Sequence, residues 1–135
     1  MNTIATLQSK FNTETMDHLL ADADVPVLTG AQRQGDILIF PMRPGKVDGL
    51  VQVPSEGYPV VRGENGGNTH RLLAEGKVSY APNTQRGQRL GTLVVEKGAT
   101  AWLEHPEHGF NGIGAGTYII NRQREQADEI RLVAD

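Results

Sequence analysis

The sequence predicts a small, mainly β domain, either an antiparallel barrel or a sandwich, with a short helical segment at its N-terminus. Short apolar runs, separated by turn residues, recur roughly every 8–12 residues from Val25 onward. The 16 glycines and 7 prolines are spread between these runs, as expected for many turns. Helical segments do not alternate with the predicted strands, so a parallel α/β fold is not expected.

The first 24 residues contain no glycine or proline and show helical spacing. Ile4, Leu7 and Phe11 fall at intervals of three and four residues, which predicts one apolar helix face. The pattern fits one helix, or two short helices broken near Asn12-Thr13. Because neither piece is long enough to be stable alone in water, it must dock on the body of the domain or reach another chain. We therefore divide the chain into a helical segment or arm, residues 1–24, and a β domain, residues 25–135.

The β domain is predicted to consist of short strands. These cover residues 35–41, 47–53, 58–61, 70–73, 77–80, 90–95, 100–103, 118–124 and 130–133. The strands at 70–73 and 77–80 are expected to pair across Glu75-Gly76. Residues 109–116 include four glycines and are predicted to turn tightly.

Length and composition exclude several classes of protein. A chain of 135 residues fits one domain, and the absence of cysteine excludes disulfides and thiolate metal sites. The net charge of −3 argues against a general nucleic-acid binder. No apolar stretch is long enough to span a bilayer, and the N-terminus does not resemble a signal peptide. We expect a cytoplasmic protein, or a virion component if a phage encodes it.

Three of the four histidines fall in the β domain and are candidate metal ligands. Residues 104–109, with sequence EHPEHG, contain His105 and His108, and their proline and glycine predict a turn. A turn can direct both rings to one point. Together with His70 they would supply three neutral nitrogen ligands and leave a fourth position open, as in catalytic zinc sites. Glu107 is a further candidate. The alternative is separate histidines on the surface and beside a strand.

Several charged and polar side chains are candidates for binding an anion. In a strand that begins at Tyr118, alternation places Tyr118, Arg122 and Arg124 on one face. Two arginines on one face can hold a carboxylate or a phosphate. Arg71 and Glu125 complete the candidate set. The alternative is a strand that leaves the core, with its arginines paired to acidic residues.

Four segments of the chain, taken together, point to a known family. They are Gln34-Gly35-Asp36-Ile37-Leu38; Gly63-Glu64 leading to His70-Arg71; His105-Pro106-Glu107-His108-Gly109; and Gly116-Thr117-Tyr118 with Arg122-Gln123-Arg124-Glu125. Over roughly residues 32–135 the chain resembles an uncharacterised family of small bacterial and phage proteins. The resemblance implies a metal or ligand site at the histidines. Asn68 stands where the family pattern has the first histidine of a His-x-His pair, and Gln126 stands where it has an aromatic residue.

Two functions from different classes are compatible with these features. The sequence favours a non-enzymatic structural or interaction protein that needs no cofactor. Its most specific form is a phage virion accessory, such as a capsid decoration or head-tail component, which binds a protein partner or forms a homo-oligomer. The alternative is a metal-dependent enzyme or small-molecule-binding protein with a zinc site at His70, His105 and His108. Neither a membrane nor a nucleic acid is an expected partner.

Overall fold

The computed structural model describes residues 2–13, 21–63, 69–85 and 87–123. Within these ranges the chain forms one helix and eleven strands, which confirms the mainly β class. The helix α1 is Ile4–Phe11. The strands are β1 (Val27–Leu28), β2 (Gln32–Gln34), β3 (Ile37–Met42), β4 (Val51–Gln52), β5 (Tyr58–Val61), β6 (His70–Glu75), β7 (Val78–Pro82), β8 (Arg89–Val95), β9 (Thr100–His105), β10 (Gly109–Ile113) and β11 (Gly116–Arg122). No helix in these ranges is long and apolar enough to cross a membrane.

The strands form two sheets. The five-stranded sheet has the order β1-β10-β9-β6-β5, and the six-stranded sheet has the order β2-β3-β11-β8-β7-β4. Neighbouring strands are antiparallel except β1 and β10, which pair in parallel over two residues. The described part of the chain contains no closed barrel, so the fold is a sandwich, one of the two predicted forms.

The main core lies between the sheets, because each strand directs alternate side chains inward. The five-stranded sheet contributes Leu72 from β6 and Leu103 from β9, both fully buried. The six-stranded sheet contributes Ile39, Leu93 and Ile120. This inward face continues at the ends of β6 and β9, where the next inward positions are histidines.

Helix α1 packs against the opposite face of the five-stranded sheet. Leu7 is fully buried in a second apolar cluster with Leu73 and Trp102. Thr3 caps the helix by accepting a hydrogen bond from the Thr6 amide at 3.1 Å. The helix ends before Asn12, which adopts a left-handed conformation at the predicted break. Residues 14–20, where a second helical piece was predicted, lie outside the described residues.

Amide side chains join the two sheets at one edge. Gln34 on β2 donates to the Leu103 carbonyl at 2.8 Å and to Asn111 Oδ1 at 3.0 Å. Asn111 Nδ2 in turn donates to the Arg33 carbonyl at 3.1 Å. These bonds hold β2 of the six-stranded sheet against β9 and β10 of the other. The Gly35-Asp36 turn that follows β2 is thereby fixed near the end of β9.

The predicted pairing of residues 70–73 with 77–80 is wrong. The strand β6 pairs with β5 and β9, whereas β7 pairs with β4 and β8 in the other sheet. Gly76, with φ of +82°, turns the chain between the sheets. Each strand buries apolar side chains against neighbours distant in sequence, and local spacing does not reveal such partners.

Residues 109–116 are not one tight turn, since they contain β10 and the start of β11. Gly112 lies within β10, where close packing leaves no room for a side chain. A Cβ there would lie 2.5 Å from the Pro26 carbonyl oxygen and 2.8 Å from Trp102 Cζ3. The glycine therefore permits a close approach between backbone segments.

Several strand boundaries differ from those predicted. The strand β3 runs past Pro41 to Met42, because β2 pairs only as far as Ile39 and β3 has a single neighbour at the proline. Of the predicted strand 47–53, only Val51–Gln52 forms in the structure. The predicted strand 130–133 lies outside the described residues.

Candidate metal centre

Three histidines meet at one end of the sandwich. His70 opens β6 and His105 ends β9, and the cross-strand pair Arg71–Glu104 places the two histidines side by side. His108 lies in the turn between β9 and β10. A ring nitrogen from each histidine lies within 4.8 Å of those from the other two. The structure thus brings together the three histidines that the sequence analysis selected as candidate metal ligands.

The rings form a compact group with one side open to solvent. The ring centroids of His70 and His105 are 4.3 Å apart, and those of His105 and His108 are 4.6 Å apart. His70 and His105 are 7% and 6% exposed, whereas His108 is exposed. A ligand at this site would reach solvent on the His108 side.

The turn that carries His108 is the one predicted for residues 104–109. The His108 amide donates to the His105 carbonyl at 3.2 Å, and the Glu107 amide donates to His105 Nδ1 at 3.0 Å. Gly109, with φ of +81°, returns the chain into β10. The turn therefore orients both rings. Glu107 is exposed, and it is not in the group of three convergent side chains.

The six-stranded sheet contributes residues that the sequence analysis did not select as site residues. A Cβ on Gly35 would lie 2.9 Å from His108 Nε2, so the Gly35-Asp36 turn packs against that ring. Asp36 Oδ2 accepts a hydrogen bond from Arg122 Nε at 3.2 Å. The charge of Asp36 also acts on His70 and His105. The sequence feature that could have identified Asp36 is the Gln34-Gly35-Asp36 segment, which was used above only as part of the family resemblance.

Burial keeps the inner histidines neutral. Desolvation by burial and, next, the neighbouring His105 together lower the pKa of His70 to about 4, although Asp36 opposes the shift. Burial also lowers the pKa of His105, with His108 as the next cause. Neutral imidazole is the form that binds metals. His70 Nε2 is buried and has no hydrogen-bond partner, an unfavourable state that a bound metal would relieve.

The candidate anion-binding residues do not form one group. Arg122 pairs with Asp36 beside the histidines, whereas Arg71 lies on the outward face of β6, next to Gly57. Tyr118 is a core residue whose hydroxyl donates to the Gly114 carbonyl at 2.8 Å. The other two candidates, Arg124 and Glu125, lie outside the described residues.

We expect His70 to contribute a loss of stability at acid pH to the metal-free protein. Its folded pKa of about 4 is below the ordinary 6.5, so the unfolded chain binds the extra proton between these values, and stability is lost as pH falls through this window. His70→Asn should remove this loss. The free energy of unfolding of the variant, relative to that of the wild type, should therefore rise by up to about 3 kcal/mol as pH falls from 7 to 4. Urea unfolding with chelator present measures the difference. A constant difference at both pH values would contradict the prediction.

The fold and the site together define a β-sandwich domain with a three-histidine cluster at one end. The chain belongs to the family described as Domain of unknown function (DUF8820), whose model matches residues 33–123, more than half of the sequence. The matched range includes the three histidines, Asp36 and Arg122. No curated protein and no solved structure shows a significant match to this chain.

Proposed function

We propose that this protein binds a divalent transition metal, with zinc the first choice, through His70, His105 and His108. The main observation behind this proposal is that three ring nitrogens lie within 4.8 Å of one another. In addition, His70 Nε2 is buried and has no hydrogen-bond partner. Three imidazoles are the protein ligands of one type of catalytic zinc site. Magnesium and calcium prefer oxygen ligands, which makes them poorer candidates.

The geometry also supports a reactive or ligand-binding metal centre. Three protein ligands leave a coordination position for water or for a small molecule. Exposure of His108 gives that position access to solvent. Asp36, paired with Arg122, lies close enough to influence the two inner rings, as outer carboxylates do in metal sites. A metal-dependent enzyme or small-molecule-binding protein is therefore the function that this site supports best.

Zinc titration of the chelator-treated protein tests the proposal. We expect one zinc ion per chain by native mass spectrometry and calorimetry. His105→Ala and His108→Ala should each weaken binding by about 100-fold or more, since each removes one of three protein ligands. The exposed loop variant Asp48→Ala is the control and should bind zinc normally. Equal zinc uptake by wild type and His105→Ala would refute the site.

A second candidate is the structural or interaction protein that the sequence favoured, in its specific form a component of a phage particle. The observation in its favour is a set of large apolar side chains that remain 38–55% exposed: Val27, Leu28, Phe40, Met42, Leu50 and Val51. They lie in pairs, on β1, on β3 and at the start of β4. Apolar surface of this kind marks a site of association where it forms one contiguous patch. The same native mass spectra report subunit number. A metal-free oligomer would favour this candidate, and a zinc-loaded monomer would count against it.

A further inference from the structure

Strand β6 places Arg71 on the face opposite the histidines. Because side chains alternate along a strand, Arg71 points away from the neighbours His70 and Leu72. Its cross-strand partners are Pro59 on β5 and Glu104 on β9. Arg71 therefore lies outside the metal centre, and its environment is separate from that of the histidines.

An open cavity of about 550 Å³ lies beside Arg71. Its lining includes Glu56, Gly57, Tyr58, Arg62 and Arg71. The two arginines thus come from separate parts of the chain, the segment after β5 and the strand β6. Two positive charges face one acidic residue in the lining of this cavity.

Gly57 packs closely against the Arg71 side chain. With φ of +93°, this glycine follows Pro54 in a turn closed by a hydrogen bond of 2.9 Å from the Gly57 amide to the Pro54 carbonyl. A Cβ on Gly57 would lie 2.5 Å from Arg71 Cδ and 2.7 Å from Cγ. The arginine chain therefore lies directly across the glycine backbone. This contact constrains the aliphatic part of the Arg71 side chain, and a constrained side chain loses less entropy when a ligand binds.

Neither guanidinium is neutralised by an ion pair with a described residue. Among all the described residues, the ion pairs with a nitrogen–oxygen distance of 4 Å or less are Lys10–Glu75, Lys46–Asp48 and Arg122–Asp36. Glu104 interacts with Arg71 electrostatically, but the two side chains make no such pair. A positioned arginine without a direct acidic partner, next to a second arginine, is a suitable receptor for a planar or tetrahedral oxyanion.

We propose that this cavity is a binding site for a small oxyanion, a carboxylate or a phosphoryl group, with Arg71 as the main contact and Arg62 as the second. Arg71 supplies N–H donors from a half-buried side chain, and Arg62 adds positive charge from an exposed one. The site is independent of the proposed metal centre, since the two use opposite faces of β6.

Titration of the full-length, isotope-labelled protein with inorganic phosphate and separately with acetate tests the proposal. Chelator is present, so that metal binding plays no part. We expect saturable shifts of the Gly57 and Tyr58 amide signals with at least one anion. Saturation by phosphate alone identifies a phosphoryl site, and saturation by acetate alone identifies a carboxylate site.

Matched arginine variants locate the contact. Arg71→Gln should weaken binding about tenfold or more, and Arg43→Gln, in an exposed loop, should leave it unchanged. Arg62→Gln should also weaken binding. Because the Arg62 side chain is exposed, this variant is expected to fold, and it tests the site even if Arg71→Gln does not fold. Absence of saturation with both anions would overturn the proposal. Unchanged affinity in Arg62→Gln and in any folded Arg71→Gln would do the same.

Discussion

Glu104→Gln is expected to stabilise the protein above pH 7 and to leave its stability unchanged near pH 4.5. Glu104 is only 3% exposed, on the outward face of β9. Burial raises the pKa of its carboxyl from 4.5 to about 7, although the charge of Arg71 opposes the shift. Between these pH values the unfolded chain has lost the proton that the folded chain keeps. Stability therefore falls as pH rises through the window.

The expected gain for Glu104→Gln at pH 8 is up to about 3 kcal/mol, which corresponds to a rise of roughly 10 °C in Tm. Urea unfolding at pH 4.5 and pH 8, with chelator present, measures it. Glu96→Gln, in an exposed turn, is the control and should change little at either pH. A Glu104→Gln variant that is less stable at pH 8 would show that the Arg71 interaction outweighs the desolvation of the carboxylate.

The linkages of Glu104 and His70 oppose each other over overlapping pH ranges. Glu104 makes the folded state less stable as pH rises from about 4.5 to about 7, and His70 makes it less stable as pH falls from 6.5 to about 4. These two contributions largely cancel in the wild type. The single variants should therefore show steeper pH dependence than the parent, with opposite signs, which a scan of wild type alone would not reveal.

The sequence predicts the individual strands better than their partners. Short apolar runs bounded by glycine, proline and other turn residues identified β3, β5, β8 and β9 closely. Pairing depends on contacts across long stretches of chain. The adjacent strands β6 and β7 therefore looked like a hairpin but lie in different sheets. Likewise, the sequence predicted a turn at Gly112. The glycine is instead needed for close packing against Trp102, a tertiary contact that local sequence does not reveal.

Half of the candidate metal centre follows from local sequence. Pro106 and Gly109 make a turn, and that turn brings His105 near His108. The position of His70 depends on the register of β6 against β9, and that of Asp36 depends on the bonds Gln34 makes across the sheets. Neither relation is encoded within a few residues. The sequence could suggest the ligands but not their convergence.

Leu7→Ala is expected to destabilise the protein by about 2–5 kcal/mol. The sequence left open whether the helical segment docks on its own domain or on another chain. In the structure Leu7 is fully buried against the apolar cluster that contains Leu73 and Trp102. Truncation to alanine would leave a cavity between the helix and the five-stranded sheet. Thermal and urea unfolding would measure the loss.

Lys10→Ala on the same helix is the matched control. It removes an ion pair with Glu75 whose side chains are 46% and 36% exposed, and such pairs contribute about 0–1 kcal/mol.

The dependence of the Leu7→Ala effect on protein concentration then separates the two docking modes. If α1 stabilises its own domain, the effect of Leu7→Ala is independent of concentration. If the helix instead joins two chains, the effect grows as the protein is concentrated, since association stabilises by mass action. The latter result would make the N-terminal segment an assembly arm and favour the interaction protein over the metal-binding one.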